Sequence, residues 1–179
     1  MTGFRFGLGH VTLDFLATLG GRPDSGIERL ASPRDLSHWI AEAGIAPTPR
    51  PSRELLVQAR ELREAIRRVL ACARDGSRPG PSDVQLVNEW ARRPLAAPQI
   101  GRDFARVSVG PDPLSAALAH IARAAVEFVT GPDVARLRSC AGCTLLFIDR
   151  SRPGTRRWCS MQRCGNRSKT ASYREKRRS

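Results

Sequence analysis

Residues 140–164 read CAGCTLLFIDRSRPGTRRWCSMQRC, and the four cysteines in this stretch decide the fold of the C-terminal quarter of the chain. Two residues separate Cys140 from Cys143, four separate Cys159 from Cys164, and 15 lie between the pairs. Two close cysteine pairs joined by a hairpin-sized segment suit a tetrahedral zinc site with four thiolate ligands. We therefore predict one bound zinc ion. It is structural, because the protein fills every coordination position.

The residues between the cysteines suggest how one segment delivers all four sulfurs. Gly142 allows the backbone to curve within the first pair, and Leu145 to Ile148 is apolar and typical of a strand. Pro153-Gly154 is a turn dipeptide that returns the chain toward Cys159, and Asp149 is expected to organise this hairpin. Few large apolar side chains occur here, so metal binding would supply folding free energy on the order of 10 kcal/mol.

The alternative for these cysteines is a pair of disulfides or a set of unrelated thiols. A secretory signal needs an uncharged apolar core, and here His10 and Asp14 interrupt the apolar N-terminal segment. No apolar run is long enough to span a bilayer. We therefore expect a cytoplasmic protein with reduced cysteines and no membrane partner. The fifth cysteine, Cys72, stands alone and is expected to be a half-buried structural thiol.

Positive charge is concentrated in the last quarter of the chain. Residues 136–179 carry 13 basic and two acidic residues, a net charge of +11, whereas residues 1–135 carry 17 basic and 15 acidic residues. Such a block attracts polyanions, which favours nucleic acid as the partner. The candidate nucleic-acid contacts lie on the hairpin and on a basic helix expected after Cys164: Arg156, Arg157, Arg167, Lys169, Arg174, Lys176, Arg177 and Arg178.

The roles of three residues in this region stay open. Arg156 and Arg157 serve equally well as phosphate contacts or as positive charges that balance the four thiolates. Asn166 either shapes the turn after Gly165, which we favour, or pairs with adenine.

The first 130 residues or so predict a mainly helical structure. Apolar residues recur at helical spacing, with serine or proline at the starts and glycine at several ends. The expected helices cover His10 to Leu19, Pro33 to Gly44, Ser52 to Gly76, a segment beginning at Ser82, and Pro113 to Val129. Residues 104–109 alternate as a half-buried strand does. We predict a mainly α fold with small β elements, divided into residues 1–132 and 133–179.

The C-terminal segment resembles the CGNR zinc-finger family. The matching stretches are CAGC (140–143), LFID (146–149), SR (151–152), RRWCSM (156–161) and CGNRSK (164–169). The preceding region is similar to the ABATE domain that accompanies this finger, at LDF (13–15), LREA (62–65) and Asn88. It departs from that pattern at Ala17, where the family usually has asparagine.

The resemblance implies a treble-clef zinc finger behind a mostly helical domain that binds a small ligand, and a regulator of transcription in stress responses. Asp14, Arg63 and Asn88 are the ligand-binding residues to which it points. The alternative is that these three make structural polar contacts within the helical domain.

Together these features favour a one-component transcription regulator whose finger binds DNA. A homodimer would help, because one short helix reads few base pairs. The alternatives are an RNA- or ribosome-associated zinc protein and a module that docks acidic proteins. We expect no enzyme, since the sequence has no nucleophile motif and its histidines, His10, His38 and His120, are scattered.

Overall fold

The computed structural model describes residues 3–20, 26–45, 51–110, 112–168 and 170. These ranges contain five α-helices: α1 (Val11–Leu16), α2 (Pro33–Glu42), α3 (Arg53–Asp75), α4 (Pro81–Arg92) and α5 (Pro113–Thr130). They also contain six short strands: β1 (Leu19–Gly20), β2 (Ile27–Glu28), β3 (Ala97–Ile100), β4 (Arg106–Val109), β5 (Leu137–Ser139) and β6 (Leu146–Ile148). Successive strands pair as antiparallel ribbons, β1 with β2, β3 with β4 and β5 with β6. The predicted fold class, mainly α with small β elements, is confirmed.

The ends of the long helices follow local chemistry. Ser52 begins α3, since its Oγ accepts a hydrogen bond from the backbone N–H of Leu55 at 3.1 Å. Gly76 ends the helix with a left-handed φ of 71°, a conformation that glycine adopts without strain. In α2, Ser32 and Asp35 form a reciprocal capping box. These boundaries could be predicted because each depends on residues within one turn.

Two elements differ from the sequence-based expectation. The first helix ends at Leu16 instead of Leu19, because the Thr18 carbonyl accepts a hydrogen bond from the Arg29 N–H at 2.8 Å and the chain turns into β1. Of the predicted strand at residues 104–109, Arg106–Val109 forms β4, whereas Phe104 lies in the preceding turn with a left-handed φ of 60°. The strand is not half-buried. Val107 and Val109 are 41% and 51% exposed, so the alternation there does not mark a core face.

One hydrophobic core runs through both predicted segments of the chain. Its largest fully buried side chains include Phe15, Trp39 and Phe147, the last of which lies in β6. The Ile148 N–H donates to the Leu8 carbonyl at 3.1 Å, and Arg150 Nη2 donates to the Gly9 carbonyl at 3.3 Å. The cysteine-bearing segment therefore packs against the N-terminal segment. The division of the chain into two domains at residue 132 stays a prediction.

Two short helical turns link the ribbon β5–β6 to its neighbours. A 3-10 helix, Pro132–Arg136, connects α5 to β5, and a π-helical turn, Met161–Gly165, carries the last cysteine. None of the helices in the described ranges combines the length and apolarity needed to cross a membrane.

Candidate metal centre

The first cysteine pair lies on the turn that joins β5 to β6. The Cys140 N–H donates to the Leu145 carbonyl at 2.9 Å, and the Thr144 N–H donates to the Cys140 carbonyl at 2.9 Å. The hairpin partner of β6 is thus β5, and not the segment that returns toward Cys159 after Pro153-Gly154, as the sequence suggested. The returning segment does not pair with β6, because the Arg156 N–H donates to the Asp149 carboxylate at 2.9 Å. The returning segment still touches the turn, where the Ala141 N–H donates to the Arg157 carbonyl at 2.9 Å.

The four cysteine sulfurs converge on one point. Cys140, Cys143, Cys159 and Cys164 are all buried, and their Sγ atoms lie within 4.8 Å of one another. The Cys143–Cys159 and Cys159–Cys164 sulfur distances are 3.6 and 3.8 Å. A tetrahedral zinc ion with Zn–S bonds of about 2.3 Å requires sulfurs about 3.8 Å apart. The donor set and its spacing fit a four-thiolate zinc site.

The ionisation of the thiols also calls for a cation. The hydrogen bond between the Cys143 and Cys159 sulfurs lowers the pKa of Cys143 to about 4 and raises the pKa of Cys159. Burial raises the pKa of Cys164 to about 11. Four buried sulfurs this close cannot all carry negative charge unless a cation lies among them. Cys72 lies outside this group and is half-buried, as predicted.

Gly142 leaves space for the cysteine cluster because it has no side chain. A Cβ atom at this position would lie 3.2 Å from Cys164 Cβ. Its φ is not in the left-handed region, whereas Thr144 has a φ of 58°. The curvature predicted at Gly142 therefore falls at Thr144, and the glycine allows Cys164 to approach the turn.

Two arginines point N–H groups at the sulfurs from opposite ends of the chain. Arg167 Nη2 lies 3.8 Å from Cys164 Sγ and donates to the Gly142 carbonyl at 2.8 Å. Arg5 Nη1 lies 4.0 Å from Cys143 Sγ. Four thiolates and one zinc ion carry a net charge of −2, which these guanidinium groups partly balance. Sequence reasoning missed Arg5, because 138 positions separate it from Cys143 and no local spacing connects them.

Arg156 and Arg157 have different surroundings. Arg156 Nε donates to the Trp158 carbonyl at 2.7 Å, and its Nη2 donates to the Cys159 carbonyl. The Arg157 guanidinium lies 5.4 Å from the centre of the Trp158 ring. Both side chains are exposed. Arg156 holds the backbone that leads into Cys159, which leaves Arg157 as the better candidate for a phosphate contact.

Asp149 organises the loop between β6 and Cys159, as predicted. Its carboxylate accepts hydrogen bonds from the Ser151 N–H at 2.9 Å, the Ser151 hydroxyl at 2.6 Å and the Arg156 N–H at 2.9 Å. The Ser151 hydroxyl is the main cause of the lowered pKa of Asp149. The side chain is 1% exposed, so its role is structural.

Most of the predicted basic helix lies outside the described residues. Of the predicted nucleic-acid contacts, Arg156, Arg157 and Arg167 are described, whereas Lys169, Arg174, Lys176, Arg177 and Arg178 are not. The described part shows helical structure from Asn166 to Ser168. Asn166 has helical dihedral angles directly after Gly165 and an exposed side chain.

The structure does not bring the three predicted ligand-binding residues together. The Asp14 carboxylate accepts a hydrogen bond from the Leu8 N–H at 2.9 Å, and burial raises its pKa. Arg63 is 2% exposed and donates to both carboxylate oxygens of Glu28, at 2.8 and 2.6 Å. Asn88 is exposed beside an apolar cavity of about 230 Å³ between α3, α4 and α5. Asp14 and Arg63 thus have the structural partners that the alternative interpretation required.

Arg167 is expected to tune the metal site without being a ligand. Replacing it with methionine removes the hydrogen bonds to Gly142 and to Cys164 Sγ, so we expect zinc affinity to fall about tenfold. Competition with a chromophoric chelator measures this change. Arg152→Met is the matched control, because Arg152 is an exposed arginine of the same segment. Equal zinc affinity in the two variants would contradict the role given to Arg167.

Two sequence families match the chain. Residues 9–132 match the ABATE family, described as "Putative stress-induced transcription regulator", and residues 136–177 match the CGNR zinc finger. No curated protein matches the chain. The second match together with the sulfur geometry shows that the four cysteines hold one structural zinc ion. Because the ABATE match covers more than half of the chain, the chain belongs to the ABATE family and carries a C-terminal CGNR zinc finger.

Proposed function

We propose that this protein regulates transcription by binding DNA through its zinc finger, under the control of a small ligand bound by its N-terminal domain. The observation that carries the proposal is the charge of the finger surface. Between residues 136 and 168 the one acidic residue is Asp149, and it is buried. The arginines of the same stretch are all exposed: Arg136, Arg138, Arg150, Arg152, Arg156, Arg157, Arg163 and Arg167.

A surface of this kind attracts the phosphate backbone of nucleic acid. Arg150 lies 3.5 Å from the Asp133 carboxylate, but the other seven exposed arginines form no ion pair with any described residue. Their potential is not cancelled, so counterions are released when phosphates replace them. The finger offers a rigid platform for these charges, because the zinc ion and the shared core fix its backbone. Residues 169–179 add five basic side chains and one acidic one, which extends the same positive block.

The ligand part of the proposal rests on the N-terminal domain. Asn88 is the predicted ligand-binding residue whose side chain remains exposed beside a cavity, and Val69 and Val126 are among the apolar residues that line the cavity. A mostly apolar pocket with one amide at its rim suits a small ligand held by burial and oriented by hydrogen bonds. Asp14 and Arg63 would support the fold around it.

Salt dependence of duplex binding tests the proposal. For zinc-loaded protein, we expect the logarithm of the association constant to fall linearly with the logarithm of salt concentration. Arg157→Gln should weaken binding to every duplex and reduce the magnitude of that slope by about 1. Arg53→Gln is the matched control, because it removes the same charge from an exposed position on α3. Fluorescence anisotropy measures both variants, and an equal loss in both would contradict a contact made by the finger.

RNA binding is the second candidate, since the same phosphate chemistry attracts single strands. Competition between matched duplex DNA and RNA separates the two: displacement by RNA at lower concentration would favour the RNA-associated function. Displacement by an acidic peptide, with no affinity for either nucleic acid at low salt, would favour the protein-docking function.

Sedimentation of the complex tests the proposed homodimer, which would present two fingers to one duplex.

A further inference from the structure

The antiparallel ribbon β3–β4 projects from the body of the protein. Every residue of β3 is exposed, and the two strands mainly contact each other. Gln99 pairs with Val107, and the Gly101 N–H donates to the Ala105 carbonyl at 2.8 Å to close the turn between the strands. A ribbon of two strands is only marginally stable by itself in water, so a surface outside the described fold would stabilise this one.

The tip of this ribbon carries an aromatic side chain that takes no part in the core. Phe104 is 92% exposed and has a left-handed φ of 60°. It is the last residue of a three-residue turn, a position that usually needs glycine because bulky residues are strained there. Phe104 therefore destabilises the free protein in two ways, through backbone strain and through exposure of a large apolar ring to water. A residue that breaks both local rules indicates a functional requirement.

A second copy of the chain is a poor partner for this ribbon. Pro98 in β3 has no N–H to donate, so it does not support the addition of another strand at its edge. Residues 91–110 contain four arginines and one acidic residue, a net charge of +3. Two copies brought together here would repel each other.

The same charge attracts a polyanion. The arginines are Arg92, Arg93, Arg102 and Arg106. Among the described residues, the first three form no ion pair with a carboxylate, and Arg102 is exposed beside the tip. The acidic residue, Asp103, holds the turn, because its carboxylate accepts a hydrogen bond from the Ala105 N–H at 3.2 Å. Phosphates therefore complement the ribbon in charge.

We propose that the ribbon β3–β4 is a second DNA-binding element, which lies in the minor groove of a duplex and inserts Phe104 between adjacent base pairs. Proteins that bind the minor groove insert apolar side chains at base steps, and the resulting kink brings more DNA surface to the protein. Ile100, which is 82% exposed next to the turn, widens the apolar surface at the inserted tip. Arg102 contacts the phosphates beside it.

This role rests on the proposed DNA-binding function and extends it to the N-terminal domain. The zinc finger supplies a rigid surface of arginines, whereas the ribbon supplies an apolar side chain that can enter the base stack. Contact by both elements would fix the orientation of the N-terminal domain on the duplex, because that domain and the finger share one core.

Replacing Phe104 with asparagine in the zinc-loaded full chain tests this role without disturbing the turn. Asparagine adopts the left-handed conformation more readily than phenylalanine, so the variant should unfold at the wild-type temperature or above it. Its affinity for a duplex, measured by fluorescence anisotropy, should fall about tenfold, because stacking against the ring is lost. Phe104→Tyr retains the ring and should bind as the wild type does. Val57→Gln is the control, since Val57 is an exposed apolar residue of α3.

Bending of the DNA gives a second measurement. Energy transfer between dyes at the two ends of a short duplex should rise when wild-type protein binds, because the inserted side chain kinks the DNA. At saturation, Phe104→Asn should leave the energy transfer close to that of the free duplex. Equal affinity and equal energy transfer for wild type and Phe104→Asn would overturn the proposal.

Two other results would assign the ribbon to a different partner and would also overturn the proposal. One is a wild-type dimer that sediments as a monomer after Phe104→Asn in the absence of DNA. The other is wild-type binding to phosphatidylglycerol vesicles that Phe104→Asn abolishes while its affinity for the duplex stays unchanged.

The duplex titrations separate this role from that of the finger. If Arg157→Gln weakens duplex binding and Phe104→Asn does not, the finger keeps the DNA-binding function and the ribbon loses its role. If the wild-type protein binds no duplex at low salt, both proposals fail.

Discussion

Replacing Cys159 with serine is expected to abolish zinc binding and unfold the finger. The Cys159 sulfur is the one that lies 3.6 Å from Cys143 Sγ and 3.8 Å from Cys164 Sγ, so its loss opens the cluster from the middle. Binding of zinc to such a site supplies folding free energy on the order of 10 kcal/mol, which so small a segment cannot replace. Zinc content should fall from one ion per chain to nearly none.

Metal analysis and circular dichroism of the purified variant measure this result. Cys72→Ser is the matched control, because Cys72 lies on α3 away from the cluster and should leave the zinc content unchanged. The finger shares its core with the helices through Phe147 and Ile148, so Cys159→Ser should also lower the unfolding temperature of the whole chain. A full complement of zinc in Cys159→Ser would contradict the assignment of the ligands.

The second large effect is expected at Arg63. Replacing it with methionine removes both hydrogen bonds to the Glu28 carboxylate. It also removes the hydrogen bond from Arg63 Nη1 to Thr18 Oγ1, which is 3.0 Å long in the wild type. Removing one partner of a buried ion pair costs about 3–5 kcal/mol. The lower end applies here, because the Glu28 side chain is 28% exposed. Urea unfolding followed by circular dichroism gives the change in unfolding free energy.

A second arginine on the same helix is the control for this effect. Arg74 also pairs with a carboxylate through two hydrogen bonds, to Asp75 at 2.8 and 2.9 Å, but the Asp75 side chain is 55% exposed. Exposed pairs contribute little to stability, so Arg74→Met should be nearly neutral. Equal losses at Arg63 and Arg74 would contradict the claim that burial sets the size of the effect.

The Arg63 effect has a pH dependence with a definite sign. Burial raises the pKa of Glu28, but the hydrogen bonds and charge of Arg63 outweigh it, and the net pKa lies below the ordinary value of 4.5. A carboxyl group with a lowered folded-state pKa stabilises the fold above its unfolded-state pKa, and this contribution is lost as the pH falls through the folded value. The difference between wild type and Arg63→Met should therefore be largest near neutral pH and shrink in acid below pH 4.5.

Features that depend on a few adjacent residues could be predicted from the sequence. The cap at Ser52, the left-handed glycine at residue 76 and the spacing of the four cysteines each involve one turn or one short loop. The zinc ligands could be predicted for the same reason, since the chemistry of thiolates limits how a close cysteine pair is used. The role of Asp149 followed from its place beside a turn.

Features that depend on how distant segments pack could not be predicted. Arg5 reaches Cys143 across the interface between the two segments, and the buried Arg29 donates to the carbonyl of Ala17, 12 positions away. The prediction that Arg63 binds a ligand did not include its ion pair with Glu28, because Glu28 lies 35 positions away in a strand of two residues. Neither charge pattern nor periodicity encodes such contacts, because they arise from the packing of the whole fold.

The central claim is that the zinc ion shapes the surface proposed to bind DNA. The most direct measurement is the affinity of one preparation for one duplex at fixed salt, first zinc-loaded, then stripped with a chelator, then reloaded with zinc. Our account predicts that stripping removes most of the binding and that zinc restores it. Binding that is equally tight and equally salt-sensitive without the metal would contradict it, because basic charge alone would then suffice.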